Sequence, residues 1–344
     1  MMHLGNLPSV EVYHNVDAAR FRDDIVKKGK PAILKNLVGS WPAVAAARQS
    51  AGDFIAYLRS YQYQGKIEAV RCRAAENGFM FYNKRFTGFN FERRAVTFDG
   101  FLSDVQASAE NPGYATHSWQ SAHIDDFFPE FLQQHPMTLL PDSVRPRIWL
   151  GNNTVVGTHN DDSENIACVI AGKRRFTFFP PEQLPNLYIG PLDKTPAGAP
   201  VSLVDLRAPD FAKFPRIKAA LTTATIAEVE PGDAVYVPTL WWHHVEALDG
   251  TNGLVNYWYG GALDDGKALV GLDTLLLSIL TYSHMSPAVK QAWKATFDHY
   301  VWSDSDTFAH IPDHVKGVLG DVPDAQRKQL AKWLADKLNE YADS

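Results

Sequence analysis

Apolar and polar positions change period along these 344 residues, and the changes divide the chain into three stretches. From Val16 to Lys28, Phe21, Ile25 and Val26 fall at helical spacing, which predicts a short helix. Pro31-Ala-Ile-Leu-Lys-Asn-Leu37 is an apolar run that reads as a buried strand, closed by Trp41-Pro42. A second helical patch covers Gly52 to Tyr61, and Lys66 to Arg73 alternates as a strand does. Between Phe79 and Phe91 the run FMFYNKRFTGFNF is crowded with aromatics. Two readings stay open for it: a half-buried hairpin, or the wall of a substrate groove.

From Arg147 to Gly260 the period shortens to that of strands. Arg147-Ile-Trp-Leu150, Ile166 to Ile170, Arg174 to Phe179, Ala224 to Val229, Ala234 to Val237, His244 to Leu248 and Leu254 to Tyr259 are short and rich in β-branched and aromatic residues. Ala171-Gly172-Lys173 and Glu230-Pro231-Gly232-Asp233 supply tight turns between them. Many short strands joined this way predict a mainly β protein with helices, an antiparallel sandwich or barrel of which the jelly roll is one form. After residue 262 the helical period returns, through Leu272, Leu275, Leu276, Ile279 and Leu280, then Val289, Trp293 and Phe297, and finally Leu330, Trp333, Leu334 and Leu338. Ser286-Pro287 and Pro323-Asp324 supply helix starts. The expected organisation is therefore a β domain over 1–262, with an N-terminal α/β elaboration, and a helical bundle over 263–344.

Composition narrows the chemistry. Hydrophobic residues make up 45% and charged ones 21%, enough to bury a sizeable core. A net charge of -6 offers no broad basic surface for phosphates, which points away from nucleic acid and toward a small-molecule or protein partner. Cys72 and Cys168 are the two cysteines, so a disulfide framework or a cysteine zinc site is excluded, and any metal must be held by His and carboxylates. The start of the chain lacks the pattern of a secretory signal, and no apolar run is long enough to span a bilayer, so a cytoplasmic protein without a membrane anchor is expected.

One constellation carries chemistry. In Gly157-Thr-His159-Asn-Asp161 an imidazole and a carboxylate stand two apart, and on an extended backbone residues i and i+2 point to the same side. Far downstream, after the Glu230–Asp233 turn and the strand AVYVP, the chain reads Thr239-Leu-Trp-Trp-His243-His244. Barrel closure that brings His243 beside His159 and Asp161 completes a 2-His-1-carboxylate facial triad, which leaves half of an octahedral ion open for a 2-oxoacid and dioxygen. His123-Ile-Asp125 repeats the H-x-D pattern, but a loop-to-helix signature follows it and no matching downstream segment exists.

The stretches HNDDSENIACVIAGKRRFTFFPPEQLPNLY, VDLRAPDFAKFP, EPGDAVYVPTLWWHHVEAL and LVNYWY together resemble the cupin-like branch of the JmjC oxygenases, close to the factor-inhibiting-HIF type of asparaginyl hydroxylase. The likeness is strong over 147–260, and the phrase PAILKNLVGSWPAV carries a looser one. It implies a double-stranded β-helix, with His159, Asp161 and His243 as ligands of Fe(II) and 2-oxoglutarate as co-substrate. It places Arg174 on the far carboxylate of 2-oxoglutarate, with Lys173 as the alternative should the alignment slip by one residue. Asn165 and Asn256 match positions of amides near the co-substrate, the alternative being that each satisfies backbone groups at a strand edge, and Tyr114 resembles a tyrosine that holds its carboxylate. Where the family has a threonine three residues before the first ligand, this chain has Val156, and Arg174 stands where Lys is more usual.

The resemblance implies an oxygenase that releases succinate and carbon dioxide and hydroxylates a C–H bond. A protein or peptide substrate is expected, because the long insertion from Gln183 to Thr223 suits the wall of an extended groove. A small-molecule hydroxylase, a methyl-lysine demethylase and a non-catalytic metal-binding cupin acting as a dimeric adaptor are the alternatives. The likeness also implies a homodimer through the C-terminal helices.

Overall fold

The structure, a computed structural model, describes residues 7–111, 113–260 and 271–343, and it divides into two units, the second beginning at Gly271. The expected boundary at residue 262 lies outside the described residues. The first unit opens with β1 (Glu11–His14) and a helical passage that begins as α1 (Ala18–Arg20), capped by the Asp17 side chain accepting from Arg20 N. The single helix expected here is instead composite. It widens over Phe21–Ile25, tightens over Val26–Lys28 and ends at Gly29 with φ +58°. There follow β2 (Ala32–Lys35), α2 (Pro42–Gln49), α3 (Ala51–Arg59), β3 (Lys66–Cys72), β4 (Phe79–Met80), β5 (Phe91–Thr97), α4 (Phe98–Glu110), β6 (Thr116–His123) and α5 (Pro129–Gln134). The strand-rich stretch forms β7 (Arg147–Gly151), β8 (Val155–His159), β9 (Glu164–Ala171), β10 (Arg174–Phe179), α6 (Ile217–Thr223), β11 (Thr225–Val229), β12 (Ala234–Val237), β13 (Trp242–Ala247) and β14 (Asn252–Tyr259).

Two sheets result. The larger runs β1-β2-β12-β9-β14-β7-β6-β3-β5 and the smaller β11-β10-β13-β8-β4, with all pairings antiparallel except β1 with β2 and β4 with β8. The period-2 alternation of side chains assigns each strand two faces. Ala167, Val169, Val235 and Leu254 of the larger sheet meet Phe176 and Phe178 of the smaller one in a core between the sheets. Ile166, Cys168, Ile170, Tyr236 and Val255 face the other way and pack under α2 to α5, against Trp41, Phe54, Phe101 and Phe131. Burial on both faces explains why β9 reads as an almost unbroken apolar run in an antiparallel sheet, where one wet face is common. The same inward face also carries buried polar groups: Arg174 opposite Ala247 near one end of the β10–β13 ladder, His243 opposite Phe178 near the other, and Asn165 and Asn256 on the larger sheet.

Turn chemistry holds these strands in place. Gly172 has φ +65°, and a Cβ there would lie 2.4 Å from the Thr251 carbonyl oxygen, so only glycine joins β9 to β10 in this way. Asp233, 2% exposed, accepts from Lys35 Nζ at 2.8 Å and from Asn36 N at 2.9 Å, tying the turn before β12 to β2. The insertion after β10 is ordered by its own apolar residues: Leu187, Val204, Leu206, Ile217 and Leu221 pack with Phe179 and Trp242. Its middle joins β8, through Ser202 N donating to the Thr158 carbonyl at 2.7 Å.

The second unit contains α7 (Gly271–Tyr282), α8 (Pro287–Tyr300) and α9 (Asp324–Ala342), which cover the three helical stretches expected from the apolar spacing. Tyr282 packs on Trp293 and Phe297 at centroid distances of 5.0 and 5.6 Å. None of the three helices buries a described residue. No helix among the described residues is long and apolar enough to cross a membrane.

His135 links this fold to pH. Its ring stacks on Phe131 at 3.7 Å, Nδ1 bonds the Phe131 carbonyl and Nε2 accepts from Ala43 N. Burial pushes its pKa down to about 4, against the smaller opposing effect of the Phe131 bond. The neutral ring therefore contributes stability that is present above pH ~6.5 and lost as the pH falls toward 4, about 3 kcal/mol at most. Urea unfolding between pH 7 and 4 should show this slope, and a His135→Gln variant should flatten it.

Candidate metal centre

β8 and β13 pair so that His159 stands opposite His243, whereas two residues further along β13 Val245 stands opposite Val156. Between these pairs two residues of β8, Gly157 and Thr158, thus face one of β13, His244. This bulge turns both imidazoles toward the space between the sheets. Asp161 lies just beyond β8, and its carbonyl accepts from Leu240 N at 2.8 Å, which pins the end of β8 to the loop entering β13. Glu164 fastens that loop from the other side, accepting from the hydroxyls of Tyr236 and, at 3.1 Å, Thr239. One ligand atom each from His159, Asp161 and His243 lies within 4.8 Å of the others, and the His243 Nε2 to Asp161 Oδ2 distance is 3.7 Å.

Orientation follows from hydrogen bonds on the far side of each ring. His159 Nδ1 bonds the Gly157 carbonyl at 2.8 Å and His243 Nδ1 bonds that of Trp241 at 2.9 Å. A carbonyl only accepts, so each Nδ1 carries its proton and each Nε2 lone pair is left for an ion. Burial, with the neighbouring His159 second, holds His243 well below the usual imidazole range, in the neutral form that a metal requires. The Asp161 carboxylate accepts from Trp258 Nε1 at 3.1 Å. His244, next in the chain, faces the opposite side of β13, fully buried, opposite Thr177.

A cavity of about 920 Å³, mouth included, opens from this triad. Val156, Phe176, Val245 and Leu254 form apolar walls, and Asn165, Arg174 and Asn256 add polar groups. Trp149 Nε1 donates to Asn256 Oδ1 at 2.7 Å, and Asn256 Nδ2 donates to Asn165 Oδ1 at 3.4 Å, so both amides are oriented before anything binds. Arg174 is 5% exposed, and its Nε has no hydrogen-bond partner. Burial pushes its pKa down to about 10, which leaves the guanidinium charged at neutral pH. A buried, uncompensated cation is costly, and a carboxylate is the group that relieves it. The donors present therefore fit both groups the sequence implied: two imidazoles with inward Nε2 atoms and a carboxylate for Fe(II), and an enclosed guanidinium for the distal carboxylate of 2-oxoglutarate.

The structure does not bring every anticipated residue here. Lys173 is exposed at the β9–β10 turn, where its N bonds Asp249 Oδ2, so the alternation of β10 favours Arg174 as the inward cation. Tyr114 is 57% exposed in the loop before β6 and does not line the cavity. Asp125 is held by Arg145 at 2.7 and 2.9 Å and joins no cluster of metal-ligating groups among the described residues. The hairpin reading of the aromatic run matches the structure, and one of its aromatics, Phe91, lines the cavity. Residues 79–91 form a hairpin closed by Asn83 N to Gly88 O at 2.8 Å, and Met80 and Phe91 line the cavity mouth with Gln120 and the strap Pro196–Val201. Tyr82 ties the hairpin to the segment just before that strap by donating to the Lys194 carbonyl at 2.7 Å. Sequence reasoning missed Trp258, although Asn256 two residues earlier marks the same inward face; Gln120 and the strap carry no comparable signal.

Residues 18–265 match the family described as the cupin-like domain. Among curated proteins, the chain is 27% identical over 267 residues to the human (Homo sapiens) bifunctional peptidase and (3S)-lysyl hydroxylase JMJD7, covering 70% of this chain and 80% of that protein. It is 25% identical to the tRNA wybutosine-synthesizing protein 5 of Danio rerio, over 72% of this chain and 74% of the relative. Identity to the lysine-specific demethylase 8 of Xenopus tropicalis is 24%, over 72% of this chain, which spans only 52% of that relative's length.

The two adjacent histidines give a paired test. His243→Ala removes a donor and should abolish tight Mn(II) binding to the metal-free protein, measured by electron paramagnetic resonance of the free ion. His244→Ala should leave that affinity unchanged, and equal losses in both variants would contradict the geometry.

Proposed function

The chain belongs to the cupin-like domain family of JmjC oxygenases, which use Fe(II) and 2-oxoglutarate, and from that membership we propose that it hydroxylates a side chain of a protein or peptide. The observation that carries this reading is the convergence, in one cavity, of three ligand atoms within 4.8 Å and a buried guanidinium with an unpartnered Nε. His159, Asp161 and His243 would hold the metal, and Arg174 would take the distal carboxylate of 2-oxoglutarate. Bound there, Fe(II) with 2-oxoglutarate and dioxygen supplies oxidative decarboxylation to succinate and carbon dioxide, coupled to C–H oxidation.

The chain's own residues do the rest. Arg174 fixes one end of the co-substrate by charge, and Asn165 and Asn256, held by Trp149, offer oriented amides beside it. Val156 presents a methyl surface where the family has a hydroxyl, so orientation rests more heavily on the guanidinium. The apolar walls keep the reacting end dry. The mouth between the hairpin and the strap admits a protruding side chain, and the length of the insertion that forms the strap favours a protein or peptide over a small molecule. The names of two relatives, a lysyl hydroxylase and a lysine demethylase, point to the same substrate class.

Succinate release with Fe(II), ascorbate and 2-oxoglutarate tests this, first alone and then with candidate peptides. Stimulation by a peptide that gains one oxygen supports the proposal, release of formaldehyde indicates demethylation instead, and no turnover with bound metal would sink it. Arg174→Met should weaken 2-oxoglutarate binding by at least ~2 kcal/mol, about thirtyfold.

The second unit supports a homodimer. Leu275 and Ile279 of α7, Trp293 of α8, and Leu330, Trp333 and Leu338 of α9 are all at least 39% exposed. Stripes of this size on helices that bury nothing in their own unit are suited to a second copy of the chain. Light scattering should give twice the chain mass for the full protein and a single mass for a chain ending at residue 262; a monomeric full chain would exclude the pairing.

A further inference from the structure

Asp161 is the least constrained of the three ligands on its own. The torsion that turns a carboxylate about its last bond is broad, so nothing intrinsic to an aspartate fixes the plane it presents. Among the described residues, the one hydrogen bond made to this carboxylate comes from the Trp258 indole, at 3.1 Å. An indole N–H shielded from water commonly finds an acceptor, and the half-buried Trp258 gives its own to a ligand-type carboxylate.

The indole is itself held on several sides. Trp258 stands opposite Asn165 in the β14–β9 ladder, so its side chain shares the inward face with Asn256. Its ring meets Trp149 edge to face at 6.3 Å and 89°. The Arg147 guanidinium lies over it, 5.3 Å from the centroid. Arg147 in turn donates to the carbonyl and hydroxyl oxygens of Ser121 at 3.0 and 3.1 Å. Ser121 has φ +55° and sits at the irregularity of β6 between Trp119 and Ala122, which turns its carbonyl out of the ladder.

We propose that Trp258 is the positioning residue of the metal centre: its N–H fixes the plane of the Asp161 carboxylate toward the Nε2 atoms of His159 and His243, and Arg147, anchored on Ser121, fixes Trp258. This rests on the metal-centre reading above. Partners of this kind orient a ligand before the ion arrives, and their loss typically weakens metal binding by 10- to 100-fold.

Trp258→Phe tests it, because phenylalanine keeps a ring against Trp149 and Arg147 but has no N–H. Mn(II) titrated into metal-free protein should bind about tenfold more weakly or worse, while the melting temperature of the metal-free protein stays that of the wild type. The visible spectrum of the Co(II)-loaded protein, which reports carboxylate ligation, should shift. Arg147→Met leaves the N–H but loosens the indole, and should fall between wild type and Trp258→Phe. The proposal is overturned if Trp258→Phe binds Mn(II) as the wild type does, or if affinity falls only in step with melting temperature. Should Trp258→Phe not fold, an unchanged Mn(II) affinity in Arg147→Met overturns it alone. Failure of the wild type to bind Mn(II) would remove the metal centre itself, a separate and recognisable result.

Discussion

The register between β8 and β13 sets His159 opposite His243, and the rest of the centre depends on it. A slip of one residue in β13 would exchange its faces, placing His244 inside and the His243 imidazole outside, away from His159. The bulge beside the pair makes such a slip costly, because two residues of one strand already oppose one of the other. The Leu240–Asp161 bond and the contacts of Glu164 with Tyr236 and Thr239 then lock the segments on either side. A two-strand pairing thus converts residues distant in sequence into one coordination half-shell.

The interior between the sheets mixes apolar packing with buried polar groups. Phe176, Phe178, Val169 and Val235 fill much of it, and packing there resembles that of any sandwich. The same two sheets contribute the buried Arg174, Asn165, Asn256 and His243. Placing a charged guanidinium inside without an anion opposes folding, and the apolar layer under α2 to α5 supplies the compensating burial. Asn165 and Asn256 escape that cost by bonding each other and Trp149.

Much of this was legible from residue order, for physical reasons. Strands buried on both faces are dense in β-branched and aromatic residues, so β7, β9, β10, β11, β12, β13 and β14 stand out. His159 and Asp161 are recognisable because two-residue spacing on an extended chain shares a face. β6, by contrast, carries Thr116, His117, Ser118, Gln120 and Ser121 within a central strand, and no periodic signal reveals it. Tyr114 was placed by likeness across a gap of uncertain length, and such placements fail where loops differ in length. Trp258 was overlooked because an aromatic in a strand reads as core; only its distance to Asp161 reveals its second partner.

The separation of His159 and His243 along the chain has a thermodynamic corollary. An unfolded chain holds these donors far apart on average, so an ion that needs both binds the native state almost exclusively. Occupancy and folding are then linked by mass action, the native state gaining RT ln(1 + [M]/Kd) from free ion. The lifetime of the protein against proteolysis would follow the supply of divalent metal around it, independently of how fast any substrate is turned over.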